Sequence, residues 1–267
     1  MTTRRQTAAL GLALLSPLPW RCAAAAGPSI PPFSAAASGA TAVEGWLHQR
    51  LPKVERANAH EIVMDEGRAV LQIRSAASAS SWLARLDEGP GTGSGTGSTT
   101  GSATGSGLEA GDRAWLRWRW KVERSLPGSD LRSKAGDDHA ARLYVIFDLP
   151  LERLTLADRL RISAARALSG ADIPAAALCY VWGHAQPVGT TAWNPYTDRV
   201  RMVVVDSGPE QAGRWRSHAR DLRRDWAEAF GGPMPRIAAV AVGADTDNTG
   251  DRVTTWFGDV TLTATAP

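Results

Sequence analysis

The chain has 267 residues, 43% of them hydrophobic, and its 30 basic and 27 acidic residues give a formal net charge of +3. Three of the basic residues and none of the acidic ones lie in residues 1–26, so the remaining sequence carries 27 of each. Without a surplus of positive charge there is little counterion release to drive nucleic-acid binding, so we expect no nucleic acid among the partners.

Residues 1–26 have the composition of an export signal peptide. Arg4 and Arg5 precede the apolar stretch Thr7–Leu18, and small residues follow Cys22 at a spacing that a signal peptidase accepts. The stretch is too short to span a bilayer, which needs about 20 residues, and no later segment is apolar enough. The paired arginines fit the twin-arginine route and the general secretory route equally well. We therefore expect a periplasmic or secreted protein without a lipid anchor or, after signal removal, a transmembrane segment.

The rest of the chain divides by composition. Residues 27–42 are rich in Ala, Ser and Pro without periodicity, which predicts a disordered leader. Residues 89–107 are almost wholly Gly, Ser and Thr, which predicts a flexible insertion. We expect residues 43–263 to form one domain. Cys179 has no partner once the signal is removed, so packing rather than a disulfide must stabilise this domain.

Period-2 alternation dominates the domain. Within residues 115–122 the even positions are apolar, and positions 117, 119 and 121 are basic. Further strand-like runs cover residues 68–74, 143–147, 178–182, 200–205, 237–242 and 253–262. Strands this numerous, joined mostly by turns, predict a mainly β fold in which antiparallel sheets pack as a jelly-roll-like β-sandwich.

Two short helices are expected to interrupt the strands. The first has one apolar face over residues 155–170, with Thr155 as a plausible N-cap and Gly170 at its end. The second begins near Asp221 and stops at Gly231, which is followed by a proline.

Several short motifs follow one another through the domain. They are Trp118–Val122, Asp137-Asp138 with Ala141–Val145, Leu178–Trp182, Pro187–Gly189, Asn194–Thr197, Trp215 with Arg220-Asp221 and Asp225, Asp245–Thr249 and Phe257–Val260. In this order they resemble an uncharacterised bacterial family, the domain of unknown function 3047, over about residues 43–262. The Gly/Ser/Thr segment departs from the pattern as an insertion would. The resemblance implies no activity, and the similarity of the strands to sugar-binding jelly rolls is an analogy of fold.

Strand alternation predicts a ligand-binding face. Its members are Asp138, Arg142 and Tyr144 from one strand and Tyr180, Trp182 and His184 from a later one. Residues of one parity share a face of a strand, so the six side chains form a shelf if both faces belong to one sheet. Flat rings suit the C–H face of a sugar and fixed polar groups suit its hydroxyls, which favours a carbohydrate-like ligand. The alternative is that the rings fill the core and that Asp138 and Arg142 form a structural ion pair.

A glycoside-cleaving enzyme on the same scaffold is a second hypothesis, and a structural or interaction protein of the cell envelope is a third. A glycosidase needs two carboxyl groups about 5 to 9 Å apart. Asp137 and Asp138 are adjacent and so point to opposite faces of a strand. The second acid would have to be Asp148, Asp206 or Asp225, and the sequence leaves open which of them and whether the protein is an enzyme.

The segment that starts at Asp245 resembles the beginning of a calcium loop. The predicted ligands are Asp245, Asp247, Thr249 and Asp251, at the first, third, fifth and seventh positions. An EF-hand is excluded, because its twelfth position would be Trp256 and strands rather than helices flank the segment. A simpler calcium site and an ordinary turn without metal both remain open.

Replacing residues 89–107 with a short Gly-Ser turn should leave the melting temperature within a few degrees. Closing a longer flexible loop costs little, about 0.6 kcal/mol for each doubling of its length. Calorimetry of the two proteins tests this expectation, and a large drop in melting temperature would show that the segment packs on the domain.

Overall fold

The computed structural model describes residues 30–51, 54–86, 114–149 and 176–266. Three sequence-based expectations lie outside the described residues: the export signal of residues 1–26, the insertion at 89–107 and the helix at 155–170. No helix in the described ranges is long and apolar enough to cross a membrane.

The described chain is mainly β. The strands are β1 Leu47–Arg50, β2 Ala59–Asp65, β3 Arg68–Ala76, β4 Ala79–Arg85, β5 Trp115–Val122, β6 Arg142–Asp148, β7 Ala176–Gly183, β8 Thr191–Asn194, β9 Thr197–Ser207, β10 Arg216–Asp221, β11 Arg236–Asp245, β12 Arg252–Phe257 and β13 Thr261–Thr263. They form a seven-stranded sheet in the order β1-β4-β11-β6-β7-β9-β8 and a six-stranded sheet in the order β10-β5-β12-β3-β2, with β13 also paired to β5. The predicted β-sandwich is confirmed.

Alternation in β5 shows how the sequence builds the core between the sheets. Its even residues are buried, and its odd residues Arg117, Arg119 and Lys121 lie on the outer face. Trp120 from β5 lies 6.4 Å from Trp182 of the other sheet, between ring centroids. Large inward side chains from both sheets therefore meet in one apolar layer, and its burial is the main stabilising term of the fold.

One pair of neighbouring strands departs from the predicted antiparallel pattern. β9 pairs with β7 in parallel, while β8 pairs with β9 antiparallel. The chain leaves β7, runs through residues 184–190, forms β8 at the edge of the sheet and returns as β9 between the two. This connection makes β9 run in the same direction as β7.

The second predicted helix is present as α1, Leu222–Ala229. The Asp221 side chain caps it by accepting hydrogen bonds from the backbone amides of Arg223 and Arg224, at 3.0 and 3.4 Å. Leu222 and Trp226 are buried on its inner face. Gly231 follows with φ of 74°, a left-handed conformation that favours glycine after a helix end.

The prediction of a disordered leader over residues 27–42 is wrong for residues 30–42. Phe33 is fully buried in a short 3-10 turn and stacks on Trp46, with 4.5 Å between ring centroids. The Gly39 amide donates to the Ile62 carbonyl at 2.7 Å, and the Ile62 amide donates to the Ala40 carbonyl at 2.8 Å. One aromatic anchor and pairing along β2 therefore offset the flexibility that the composition predicts.

Asp206 links the two sheets inside the sandwich. It lies on β9 and is 2% exposed. Its carboxylate accepts hydrogen bonds from the indole Nε1 of Trp120 at 2.7 Å and from Nε of Arg216 at 3.0 Å, and it lies 2.7 Å from Nε2 of His218. Burial alone would raise the pKa of Asp206, but the hydrogen bonds from His218, Trp120 and Arg216 outweigh burial and hold the pKa below its ordinary value.

Replacing Asp206 with Asn should lower the free energy of unfolding by roughly 2 to 4 kcal/mol at pH 7, because it removes a buried charge from three donors. The folded-state pKa of Asp206 lies below its ordinary 3.8. Its stabilising contribution is therefore present above about pH 4 and is lost as the pH falls through the folded-state pKa.

Urea unfolding at pH 7, 5 and 3 measures the difference between the two proteins, which should shrink toward pH 3. Asp198→Asn, an exposed change on the same strand, is the matched control and should cost little at any pH. A difference for Asp206→Asn that stays constant from pH 7 to pH 3 would contradict the role of the charge.

Candidate functional site

Four aspartates meet at one end of the seven-stranded sheet, and we call them the acidic centre: Asp137, Asp138, Asp245 and Asp247. The first two lie in the loop that leads into β6, Asp245 ends β11, and Asp247 lies in the loop before β12. Asp138, Asp245 and Asp247 each offer a carboxylate oxygen, and these three oxygens lie within 4.8 Å of one another. Residues more than 100 positions apart thus form one cluster.

The guanidinium of Arg142 holds the acidic centre together. It is 3% exposed on the outer face of β6. Its Nε donates to Asp245 at 2.7 Å, Nη2 donates to the Asp137 carboxylate at 3.0 Å, and Nη1 donates to the Tyr144 hydroxyl at 3.2 Å. Burial disfavours its charge, but Asp137 and Asp245 outweigh burial and raise the pKa of Arg142 above its ordinary value.

Asp138 fastens the loop between β11 and β12. Its carboxylate is fully buried and accepts hydrogen bonds from the amide and the hydroxyl of Thr249, both at 2.7 Å, and from the Asn248 side chain at 3.1 Å. The structure therefore brings half of the predicted ligand face (Asp138 and its strand neighbours) together with most of the predicted calcium loop. The sequence analysis treated these two groups as separate sites.

Burial and mutual repulsion make the ionised forms of two aspartates in the acidic centre less favourable. Burial raises the pKa of Asp245 to about 7, Arg142 opposes this rise, and the charges of Asp137 and Asp138 add to it. The pKa of Asp247 is also raised, through partial burial and the charge of Asp138. Repulsion among these carboxylates would be relieved by a proton or by a metal cation.

The predicted calcium ligands are corrected in one position, Asp251. Asp251 turns away from the cluster and pairs with Nη2 of Arg124. The Thr249 hydroxyl donates to Asp138 and so orients one carboxylate of the cluster. The three carboxylates that converge are those of Asp138, Asp245 and Asp247, because Asp138 reaches the loop from the other side.

The other half of the predicted ligand face, Tyr180, Trp182 and His184, does not lie beside Arg142 and Tyr144. The predicted shelf therefore does not form. Leu143 pairs with Tyr180, and Arg142 pairs with Val181. Cross-strand partners share a face, so Tyr180 and Trp182 point into the core while Arg142 and Tyr144 point outward. The parity was correct for Arg142 with Tyr144 and for Tyr180 with Trp182, whereas Asp138 and His184 lie just outside the strands. The register between the strands placed the two pairs on opposite faces.

The three residues of this other half have structural partners. The fully buried Tyr180 hydroxyl donates to Asp225 at 2.6 Å. The indole of Trp182, 1% exposed, donates to the Gly208 carbonyl at 3.1 Å. His184 lies 2.9 Å from the Ser125 hydroxyl, between Nδ1 and Oγ. Asp206 and Asp225, which the sequence offered as catalytic acids, are both buried and hydrogen-bonded to other side chains.

A different surface carries accessible aromatic rings, and we call it the tryptophan face: Trp215, Trp256, Arg119 and Lys121 on the outer side of the six-stranded sheet. The Lys121 ammonium lies 4.6 Å from the centroid of Trp256 and 5.3 Å from that of Trp215. The Arg119 guanidinium carbon lies 4.3 Å from the centroid of Trp215. Both rings are half-buried, and the cations fix their orientation.

The sequence analysis missed the tryptophan face, although one signal for it was available. Thr255 and Phe257 are buried, and Trp256 between them lies on the outer face. Period-2 alternation in residues 253–257 therefore gives the orientation of Trp256. Trp215 precedes β10, and no local pattern indicates that its indole meets Asp65, to which it donates at 3.3 Å.

A groove adjoins the tryptophan face. It has a volume of about 480 Å³ and lies beside the break between β12 and β13. Its lining includes Arg68, Arg117, Arg119, Ser217, Gly258 and Asp259. Arg119 belongs to both features, so the groove and the tryptophan face form one continuous surface.

The chain belongs to the family described as protein of unknown function DUF3047, whose model matches residues 44–261. This confirms the resemblance that the motifs carry. No curated protein matches the chain in sequence.

Several solved carbohydrate-active proteins are similar in fold. The family 30 carbohydrate-binding module of a Clostridium thermocellum cellulosomal cellulase is 12% identical with a TM-score of 0.37, and the match covers 90% of this chain and 95% of that one. A β-1,2-glucanase from Parabacteroides distasonis is 10% identical with a TM-score of 0.38, covering 90% of this chain and 25% of that protein. The xyloglucanase domain of a Sinorhizobium fredii type three effector, in complex with cellobiose, is 11% identical with a TM-score of 0.34, covering 86% and 99%. Similarity at this level does not define a ligand.

The calcium site stays a prediction, now with Asp138, Asp245 and Asp247 as its ligands. If calcium binds there, millimolar calcium should raise the melting temperature, because a ligand that binds only the folded state stabilises it by about 2.7 kcal/mol at 100 times its dissociation constant. Asp247→Asn should abolish the increase. Asp251→Asn is the matched control from the same loop and should keep it. Native melts that superimpose in calcium and in chelator would exclude the site.

Proposed function

We propose that the protein binds a carbohydrate-like, polyhydroxylated ligand on the tryptophan face. The observation that carries this proposal is the pair of half-buried rings, Trp215 and Trp256, on the outer side of the six-stranded sheet. Half-burial fixes each ring and leaves part of it to solvent. A fixed flat ring stacks against the C–H face of a sugar at little entropic cost.

Polar side chains lie in line with the rings. The strand register places Glu61, Gln72, Trp256 and Lys121 side by side on four neighbouring strands. At the usual strand spacing this row is about 14 Å long. It offers a carboxylate, an amide and an ammonium beside one ring, which is the combination of groups that binds sugar hydroxyls around a stacked ring.

The donors beside the rings are held in place. Lys121 pairs with Asp65, and the Trp215 indole donates to the same carboxylate at 3.3 Å. Arg74 donates to Glu61 at 2.8 Å and to Gln72 at 2.5 Å. A surface whose groups are already oriented loses less conformational entropy when a ligand binds.

Export of the protein, which residues 1–26 predict, belongs to the same proposal. A periplasmic or secreted location would give the tryptophan face access to polysaccharides of the cell envelope or of the surroundings. Binding without cleavage is sufficient for this function, since the tryptophan face is defined by rings and fixed polar groups rather than by a pair of opposed carboxyl groups.

A glycan array probed with the protein, followed by calorimetric titration of each bound oligosaccharide, tests the proposal. Trp256→Ala should weaken binding at least about tenfold, because stacking on an aromatic ring and its burial together contribute about 1.5 kcal/mol or more. Its melting temperature should change little, since the ring lies on the outer face.

Trp193→Ala is the matched control, because Trp193 is a 38% exposed tryptophan on β8 of the other sheet. It should leave the affinity unchanged. An array without any bound glycan, or an affinity that does not depend on Trp256, would refute the proposed function.

A further inference from the structure

We infer that the groove beside the tryptophan face binds an acidic substituent of the ligand, so that the carbohydrate is anionic. The inference rests on the proposed function and adds the chemical class of the sugar. Three arginines line the groove, Arg68, Arg117 and Arg119. Within the described ranges, none of the three lies within ion-pair distance of a carboxylate.

The one carboxylate of the groove lining is engaged by neutral donors. Asp259 accepts hydrogen bonds from the Ser34 amide at 2.9 Å and from the Ser34 hydroxyl at 2.6 Å. These bonds tie the N-terminal turn to the six-stranded sheet. Asp259 therefore serves a structural purpose, and three arginines against one aspartate leave the groove positively charged.

Arg117 is incompletely satisfied. Its Nε is buried and has no hydrogen-bond partner in the described part of the chain, and its Nη2 donates only to the Thr265 carbonyl, at 3.3 Å. A buried donor on a charged group without an acceptor costs free energy. An anion in the groove would stabilise the charge of this poorly partnered guanidinium through its other N–H groups, because charge-assisted hydrogen bonds are stronger than neutral ones.

Gly258 shapes the junction between the groove and the tryptophan face. A Cβ at this position would lie 2.6 Å from Cγ and 2.7 Å from Nε of Arg119, closer than atoms approach without moving. The absence of a side chain lets Arg119 cross Gly258 and place its guanidinium over Trp215. An acidic group bound by Arg119 would therefore lie next to a stacked sugar ring.

The geometry of guanidinium groups selects the type of acid. A planar fork of N–H donors binds oxyanions through paired hydrogen bonds, and carboxylate and sulfate both present such oxygens. The ligand class is consequently a polysaccharide that carries uronic acids or sulfate esters. Both kinds of polysaccharide carry an oxyanion on a sugar whose C–H face can stack on a tryptophan ring.

Two matched pairs of ligands distinguish the contribution of the acidic group to affinity from that of the sugar. They are oligogalacturonate with its methyl ester, and dextran sulfate with dextran. Each pair differs in charge and shares its sugar backbone. Calorimetric titration at low salt should show at least about tenfold tighter binding of one acidic form than of its neutral partner, which is the scale of one charge-assisted hydrogen bond. The preference should decrease as salt is added.

The double variant Arg68→Gln/Arg117→Gln should reduce this preference to about twofold or less. Arg85→Gln/Arg132→Gln is the matched control, since it removes the same charge from exposed arginines elsewhere, and it should retain the preference. Gly258→Ala should also reduce it, by displacing Arg119. Melting temperatures show whether each variant is folded.

Equal affinity for acidic and neutral forms overturns the inference, and the proposed function survives if that binding depends on Trp256. An acidic preference that the Arg68→Gln/Arg117→Gln variant keeps also overturns the inference. A preference that this variant loses, together with binding that does not depend on Trp256, supports the groove and refutes the tryptophan face. Binding of none of the four polymers overturns the inference.

Discussion

The buried carboxylate of Asp206 is the interaction on which the geometry of the candidate surface depends. A carboxylate enclosed between two sheets is tolerated only when donors satisfy its charge. Here one donor comes from Trp120 in the middle of the six-stranded sheet and two more come from Arg216 and His218 on its edge strand. The edge strand is thereby held with those two residues inward. Alternation then directs Ser217 outward and places Trp215, which precedes the strand, beside Arg119 and Lys121.

The sequence was sufficient to predict how each strand orients its own side chains. Basic residues at odd positions of β5 and apolar ones at even positions leave one arrangement that buries the tryptophans. The sequence was insufficient to predict which faces of different strands coincide. That depends on register, and the pairing of Tyr180 with Leu143 is set by packing across the whole sandwich. The parity of β6 and β7 was therefore correct, while the shelf built from them was wrong.

The acidic centre shows the same division between local and long-range information. The spacing of Asp245 and Asp247 is visible in one loop, but Asp138 joins them from more than 100 residues away. The orientation of the Asp251 side chain likewise depends on its ion pair with Arg124, which is distant in sequence. The prediction of a disordered leader was wrong for a related reason. The composition of residues 30–42 indicates flexibility, whereas the contact of Phe33 with Trp46 and the backbone hydrogen bonds to Ile62 anchor them. Local patterns predict side-chain chemistry, and tertiary partners decide which groups meet.

The two sheets differ in what they offer to a ligand. Every residue of β7, an interior strand of the seven-stranded sheet, is buried. On the outer face of that sheet Cys179, Val181 and Met202 form a second apolar cluster with Leu131, and burial raises the pKa of the Cys179 thiol to about 12, so it has little nucleophilic character. This apolar patch offers a ligand no polar groups, and Arg142 and Tyr144 beside it are engaged with each other and with the acidic centre. The outer face of the six-stranded sheet instead alternates basic, amide and indole side chains that remain in contact with solvent. Such a face suits a hydrated, polyhydroxylated ligand, which is why the proposed binding surface lies on the smaller sheet.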